Sequence, residues 1–203
     1  MTIAPERVYP AGAERDLLTA ERAAEAFLTA VGVDLAAPGL AETPMRMAKA
    51  YAELLTPREF AFTTFDNDEG YDELVLVRSI PVRSLCEHHL LPFTGVAHVG
   101  YLPGDRILGL SKLARVVELF ARRAQLQERL TKQVADWLDT HLRPRGVGVV
   151  IEAEHLCMSL RGVQAAGTRT VTSTLLGTLR EDARSRAEFL AVAGLSSTGE
   201  GKR

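Results

Sequence analysis

Cys86-Glu87-His88-His89 and His155-Leu156-Cys157 together hold both cysteines of the chain and three of its five histidines. Thiolate and neutral imidazole are donors that zinc prefers, and a Cys-x-x-His pair with one distant third ligand leaves a tetrahedral site one position open for water. The spacing therefore predicts a metal centre that activates water. The ordinary alternative is a pair of cysteines buried as small hydrophobes, but core packing gives no reason for three histidines to cluster beside them. No basic-then-apolar leader opens the sequence, so a reducing compartment is expected and a disulfide is not. His98, in a strand-like run, and His141, near a helix end, lack such company. They are expected to be ordinary hydrogen-bonded or dipole-stabilised histidines.

The ligand count is open on spacing alone. If the segment from Gly146 to Met158 is a strand, His155 and Cys157 point to the same face and either reaches a metal. Four ligands would close a structural Cys2His2 site. Three ligands with a histidine to spare would make a catalytic site, the spare ring serving as acid or base.

The elements that must position these groups are legible around them. The 203 residues are 46% hydrophobic and 25% charged with a net charge of −2, enough to bury the core of one ordinary globular domain. That balance gives no reason to expect nucleic acid or an anionic membrane as partner, and no apolar run approaches a spanning helix. A cytoplasmic protein with only local anion binding is expected. Residues 14–31 carry Leu17, Ala20, Ala24, Phe27, Leu28 and Val31 at helical spacing, and a second helix is expected to start with Thr43 as N-cap and Pro44 at its first position. Residues 56–72 read as a connector, and 74–82 and 93–101 as strands flanking the Cys-Glu-His-His turn. Ser111, as N-cap, opens a helix with Leu113, Val116, Val117 and Phe120 on one face. The next helix carries Leu126, Leu130, Val134, Trp137 and Leu138 and stops at Pro144 and Gly146. Strands over 147–153 and 169–176 and a short helix over 185–193 complete the order α-α-β-β-α-α-β-β-α. Strand pairs segregated from helix pairs predict an α+β fold, an antiparallel sheet covered on one face by helices and preceded by N-terminal helices. The chain divides into a helical extension and connector over 1–70, loose at 1–12, a catalytic domain over 71–193, and a flexible Gly/Ser-containing tail over 194–203.

Further runs share this order: Gly109-Leu110-Ser111-Lys112-Leu113-Ala114-Arg115, Gln125-Leu126-Gln127-Glu128-Arg129-Leu130-Thr131, His155-Leu156-Cys157-Met158, Arg161-Gly162 and Thr170-Val171-Thr172-Ser173. With the first island they resemble the zinc-dependent GTP cyclohydrolase I family, from the helix start at Glu42-Thr43-Pro44 to Glu188-Phe189-Leu190. The resemblance implies a T-fold (tunnelling fold) and zinc bound by Cys86, His89 and Cys157, with His88 and His155 unligated. It implies conversion of GTP to formate and 7,8-dihydroneopterin triphosphate, the entry to pterin and tetrahydrofolate biosynthesis. Zinc-activated attack at C8 of the guanine would be followed by proton delivery to the departing ring nitrogen from His155, with His88 assisting and Ser111 handling sugar or phosphate.

The same resemblance places Glu128 on the guanine, where N1–H and the exocyclic amine are two donors facing one bidentate acceptor. Gln127 is a secondary candidate for that pocket. Lys112 and Arg115 at a helix start, Arg161 after the second island, and Arg46 and Lys49 are expected on the triphosphate. Without the resemblance, Lys112, Arg115, Arg122 and Arg123 read as a solvated helix face and Glu128 as an i,i+4 partner of Lys132. Ser79 departs from the acidic residue or Asn usual in the family, and Gly167-Thr168 from a common serine. The resemblance further implies a homodecamer of two rings with active sites between subunits. The region before the first helix lacks the long extension of regulated animal members, so no regulatory partner is expected.

Overall fold

The computed structural model describes residues 15–195; the expectations for 1–12 and for 196–203 fall outside the described residues. The chain forms two compact units, residues 15–56 and residues 57–195. In chain order the elements are α1 (Leu17–Ala30), α2 (Thr43–Leu54), β1 (Thr64–Asp66), β2 (Val75–Cys86), β3 (Pro92–Leu102), β4 (Arg106–Leu108), α3 (Ser111–Ala121) and β5 (Ala124–Gln125). They continue with α4 (Gln127–Leu142), β6 (Gly146–His155), α5 (Leu156–Ser159), β7 (Thr170–Gly177), α6 (Thr178–Glu181) and α7 (Ala183–Val192).

In the first unit α1 packs on α2. The Asp16 carboxylate caps α1 by accepting from the Thr19 N–H, and Gly32, at φ 88°, closes its other end. There the Val33 N–H donates to the Leu28 carbonyl and the Gly32 N–H to that of Thr29, a closure that needs a left-handed residue. α2 differs from expectation at its start. Thr43 is its first helical residue and Glu42 occupies the cap without a side-chain bond. The chain enters from a turn, in which the Thr43 N–H already donates to the Leu40 carbonyl, rather than from the extended conformation that N-capping side chains use.

In the second unit the main sheet has the order β5-β2-β3-β6-β7, and β1, inside what the sequence suggests is a plain connector, pairs separately with β4. The pairs are antiparallel except for β5, which meets β2 in parallel over Leu85 and Cys86 alone. Alternation divides the faces. Phe93, Ala97, Val99 and Tyr101 of β3 and Val147, Val149, Ile151 and Ala153 of β6 bury against Leu113, Val116 and Val117 of α3 and Leu130, Val134 and Leu138 of α4. Truncating one of those fully buried leucines to alanine costs about 2–5 kcal/mol.

The sheet is not covered on one face only. Leu102 and Val150 point the other way and form a second cluster with Leu179 of α6 and Phe189 of α7. Gly148 makes room for it: a Cβ there would lie 2.7 Å from the Phe189 ring. α7 then ends as α1 does, with Gly194 at φ 79° and the Leu195 N–H donating to the Leu190 carbonyl. The first two residues of the expected tail are thus part of a helix cap. β2 carries a bulge between Val77 and Ile80, with Ser79 at φ 56°. Asn and Asp are the side chains best tolerated in that region, so serine is a less favoured residue at this φ.

Candidate active site

The two islands meet at the same end of the sheet, delivered there by β2 and β6. After Cys86 the chain turns back on itself: the Leu90 N–H donates to the Cys86 carbonyl at 2.8 Å and the Cys86 N–H to the Leu91 carbonyl at 2.9 Å, with Leu90 at φ 52°. This turn is fastened to the start of α4. The Glu87 N–H donates to the Gln125 carbonyl at 3.1 Å, the Glu87 carboxylate pairs with Arg129, and Arg129 Nε donates to the buried Gln125 Oε1 at 2.7 Å.

The second island is not the continuous strand that would place His155 and Cys157 on one face. β6 ends at His155, and Cys157 belongs to the single helical turn of α5. A helical step of about 100° per residue, in place of the strand's alternation, sends the two side chains apart. Cys157 goes to Cys86 and His89, and their ligand atoms all lie within 4.8 Å of one another. Cys86 and Cys157 are buried free thiols and His89 is exposed. Zinc bonds of about 2.0–2.3 Å to nitrogen and sulfur need donors somewhat under 4 Å apart in a tetrahedron. Cys86 Sγ stands 3.9 Å from Nδ1 of His89, so two thiols and an imidazole fit the ion with a small contraction. Burial pushes the Cys157 thiol above its ordinary range, and the neighbouring Cys86 pushes further, against a downward pull from Arg161. A divalent cation relieves that situation by stabilising both thiolates. Arg161 Nη1 donates to His89 Nε2 at 3.3 Å, and His88 Nδ1 lies 3.9 Å from Cys86 Sγ.

His155 is held away from these three ligands. Its Nε2 is 2.8 Å from Gln127 Oε1, and its ring stacks on Phe93 at 4.6 Å and 12°. Burial lowers its pKa below the ordinary value, with Glu128 pulling it back up. Glu128 itself is exposed in the first turn of α4, at the positive end of the helix dipole. Gln127, expected beside it on the base, is instead buried, its amide nitrogen facing the Ile151 and Thr170 carbonyls at 3.0 and 2.9 Å.

The remaining expected contacts are not brought to this place within the unit. Ser111 is the first residue of α3 rather than its cap, which is Leu110. Ser111, Lys112 and Arg115 follow β4, whose Leu108 N–H donates to the Tyr101 hydroxyl at 2.9 Å. Tyr101 and the metal turn lie at opposite ends of the 11-residue β3, about 30 Å apart along the strand. Arg115 reaches Glu118 at 3.5 Å, which also takes Arg58 and Arg122. Arg123 is not on a solvated face: it is buried over the Phe120 ring and donates to the Leu119 carbonyl. Lys132 pairs with Asp136 instead of Glu128. Arg46 and Lys49 lie on α2 in the other unit, Arg46 paired with Glu42 at 2.6 Å. His141 is structural, its Nδ1 donating to the Trp137 carbonyl and its ring stacked on Trp137. Sequence reasoning missed the supports: Gln125, Arg129, Phe93, Thr131 and Thr172. All but Phe93 stand inside quoted runs, yet nothing in a run says that a side chain faces inward.

Fold and site thus define a cysteine–histidine cluster able to hold a metal at one end of an α+β sheet, with His155 held outside that cluster by Gln127. The GTP cyclohydrolase I family profile matches residues 20–194. The GTP cyclohydrolase 1 of Mycobacteroides abscessus is 54% identical over 90% of this chain and 92% of its own length, and that of Aquifex aeolicus 52% over 84% and 92%. The one from Allorhizobium ampelinum is 46% identical over 94% of both chains. The chain belongs to the GTP cyclohydrolase I family.

Proposed function

We propose that the chain hydrolytically opens the imidazole ring of GTP, releasing formate and forming 7,8-dihydroneopterin triphosphate, at a zinc held by Cys86, His89 and Cys157. The observation that carries the reading is the convergence of these three donors while His155 is turned away from them and held by Gln127. Bound zinc supplies Lewis acidity that brings the pKa of a water toward neutrality.

The chain's own residues supply the rest. His155, its pKa lowered by burial so that it gives up a bound proton readily, takes up a proton on its free ring nitrogen and passes it to the departing ring nitrogen, with the exposed His88 assisting. Glu128, close enough to bias His155, accepts from N1–H and the exocyclic amine of guanine and so sets the base against that histidine. Arg161, Lys112, Arg115, Arg46 and Lys49 take the triphosphate, and Ser111 the sugar or phosphate. Because Ser111, Lys112 and Arg115 stand at the far end of β3 from the ligands, a neighbouring copy must bring its own set to each metal. The sheet order supports such an assembly. It ends in β7 on one side and, past the two-residue β5, in β2 on the other, edges suited to strand pairing between copies. We read the architecture as a T-fold in a homodecamer acting in the cytoplasm. Among the described residues no helix is long and apolar enough to cross a membrane.

The test is to incubate zinc-loaded protein with GTP and assay formate together with the pterin triphosphate by mass. Both are expected. Neither product from intact, zinc-loaded oligomer contradicts the reading, and formate alone would limit it to ring opening.

A further inference from the structure

Gln127 is 2% exposed at the first position of α4, and its amide can sit only one way round. Its Nε2 lies 3.0 Å from the Ile151 carbonyl, 2.9 Å from the Thr170 carbonyl and 3.2 Å from Thr172 Oγ1. The two carbonyls accept only, so the NH2 group must face them and Oε1 must face His155. The neighbouring hydroxyls agree with this count. Thr131 Oγ1 donates to the Gln127 carbonyl at 2.8 Å, which leaves Thr172 Oγ1 to donate to Thr131 at 2.6 Å and to accept the weaker share of the amide. An acceptor 2.8 Å from His155 Nε2 requires the hydrogen to be on Nε2, and in a neutral ring that leaves the lone pair on Nδ1. Phe93, stacked at 4.6 Å, restrains the ring from turning over.

We infer that Gln127 is a positioning residue for ring opening: anchored by the Ile151 and Thr170 carbonyls, it holds His155 in the Nε2–H tautomer and leaves Nδ1 as the nitrogen that exchanges protons with substrate. This rests on the acid/base reading of His155 and replaces the expected contact between Gln127 and the guanine. It also gives Thr131 and Thr172, which have no other assigned role in their motifs, a place as supports of that orientation.

The test uses the zinc-loaded full chain in three forms, Gln127→Met, Gln127→Glu and His155→Ala, with the Gln127→Met/His155→Ala double variant. In Gln127→Met, kcat should fall roughly 10- to 1,000-fold, as when a histidine loses the partner that sets its tautomer, while KM for GTP stays within about twofold. In the His155→Ala background the same change should have no further effect on kcat. A protonated Glu can donate to one strand carbonyl and still accept from Nε2–H, so Gln127→Glu should recover at least tenfold over Gln127→Met. That comparison stands even if the methionine variant folds poorly. In [15N]histidine-labelled protein, the Nε2–H signal of His155 should be present in wild type and lost or exchange-broadened in Gln127→Met. A raised KM with kcat retained would restore the base-contact role and overturn the inference. An equal loss in both backgrounds, or Glu no better than Met, would overturn it in favour of plain packing. Normal turnover in His155→Ala would instead strike at the acid/base reading itself.

Discussion

The two islands carry the same residue types but are held differently. In the first, Cys86 is buried while His88 and His89 are exposed, and the turn is fastened from outside through Glu87, Arg129 and Gln125. In the second, Cys157 and His155 point apart, and His155 is gripped by a buried amide and an aromatic face. The first island is built to close around an ion. The second leaves His155 outside the Cys86, His89 and Cys157 cluster, because a single helical turn replaces the strand that would have put His155 and Cys157 on one face.

The largest effect expected from breaking this division is loss of the ion. Cys157→Ser should abolish stoichiometric zinc, measured by atomic emission, and with it at least roughly 1,000-fold of turnover; full zinc content in that variant would contradict the ligand set. Arg129→Met loosens only the fastening of the first island. It should weaken zinc binding about 10- to 100-fold, as removal of a support behind a ligand does, read by competition with a chromogenic chelator. Unchanged affinity would mean that the turn holds its own shape.

A buried histidine away from both islands sharpens the contrast, because His98 has no metal cluster around it and its Nδ1 is buried without a partner among the described residues. Burial, aided by Arg78 and opposed by Glu152, holds its pKa below the ordinary 6.5. Below that value the unfolded chain takes up a proton that the folded chain refuses. The stability is therefore complete above pH 6.5 and declines as pH falls toward the folded pKa. Urea midpoints of metal-free protein between pH 8 and pH 5 should show the decline, and His98→Asn should show less of it; parallel curves would assign the acid limb elsewhere. The smallest expected effect is at Ser79. Ser79→Asn, better suited to φ 56°, should raise the urea midpoint slightly without changing turnover.

Much of this was legible in the residues. Period-2 and period-3.6 patterns locate β2, β3, β6, β7 and the major helices, and two cysteines with histidines beside them mark the place of the cluster, while the choice of three donors among them comes only with the family resemblance. What escaped has physical reasons. Ser111 and Thr43 look like N-caps by type, but both helices are entered from turns, where the side chain has no extended residue to cap from. α7 reaches the second face of the sheet because Gly100 and Gly148 clear a path for Phe189, and a glycine in a strand does not announce which ring will fill its space. Gln127 has the residue type of a base-binding amide, and only its burial between two strand carbonyls and His155 shows where its hydrogen bonds go.

The central claim is that His155 does chemistry beside the metal without holding it. Zinc content, assembly and formate release should be measured together in His155→Ala: the account predicts stoichiometric zinc, an intact oligomer and turnover reduced roughly 100- to 10,000-fold. Loss of zinc in step with turnover would make His155 a ligand of a closed site, and normal formate release would remove it from the reaction.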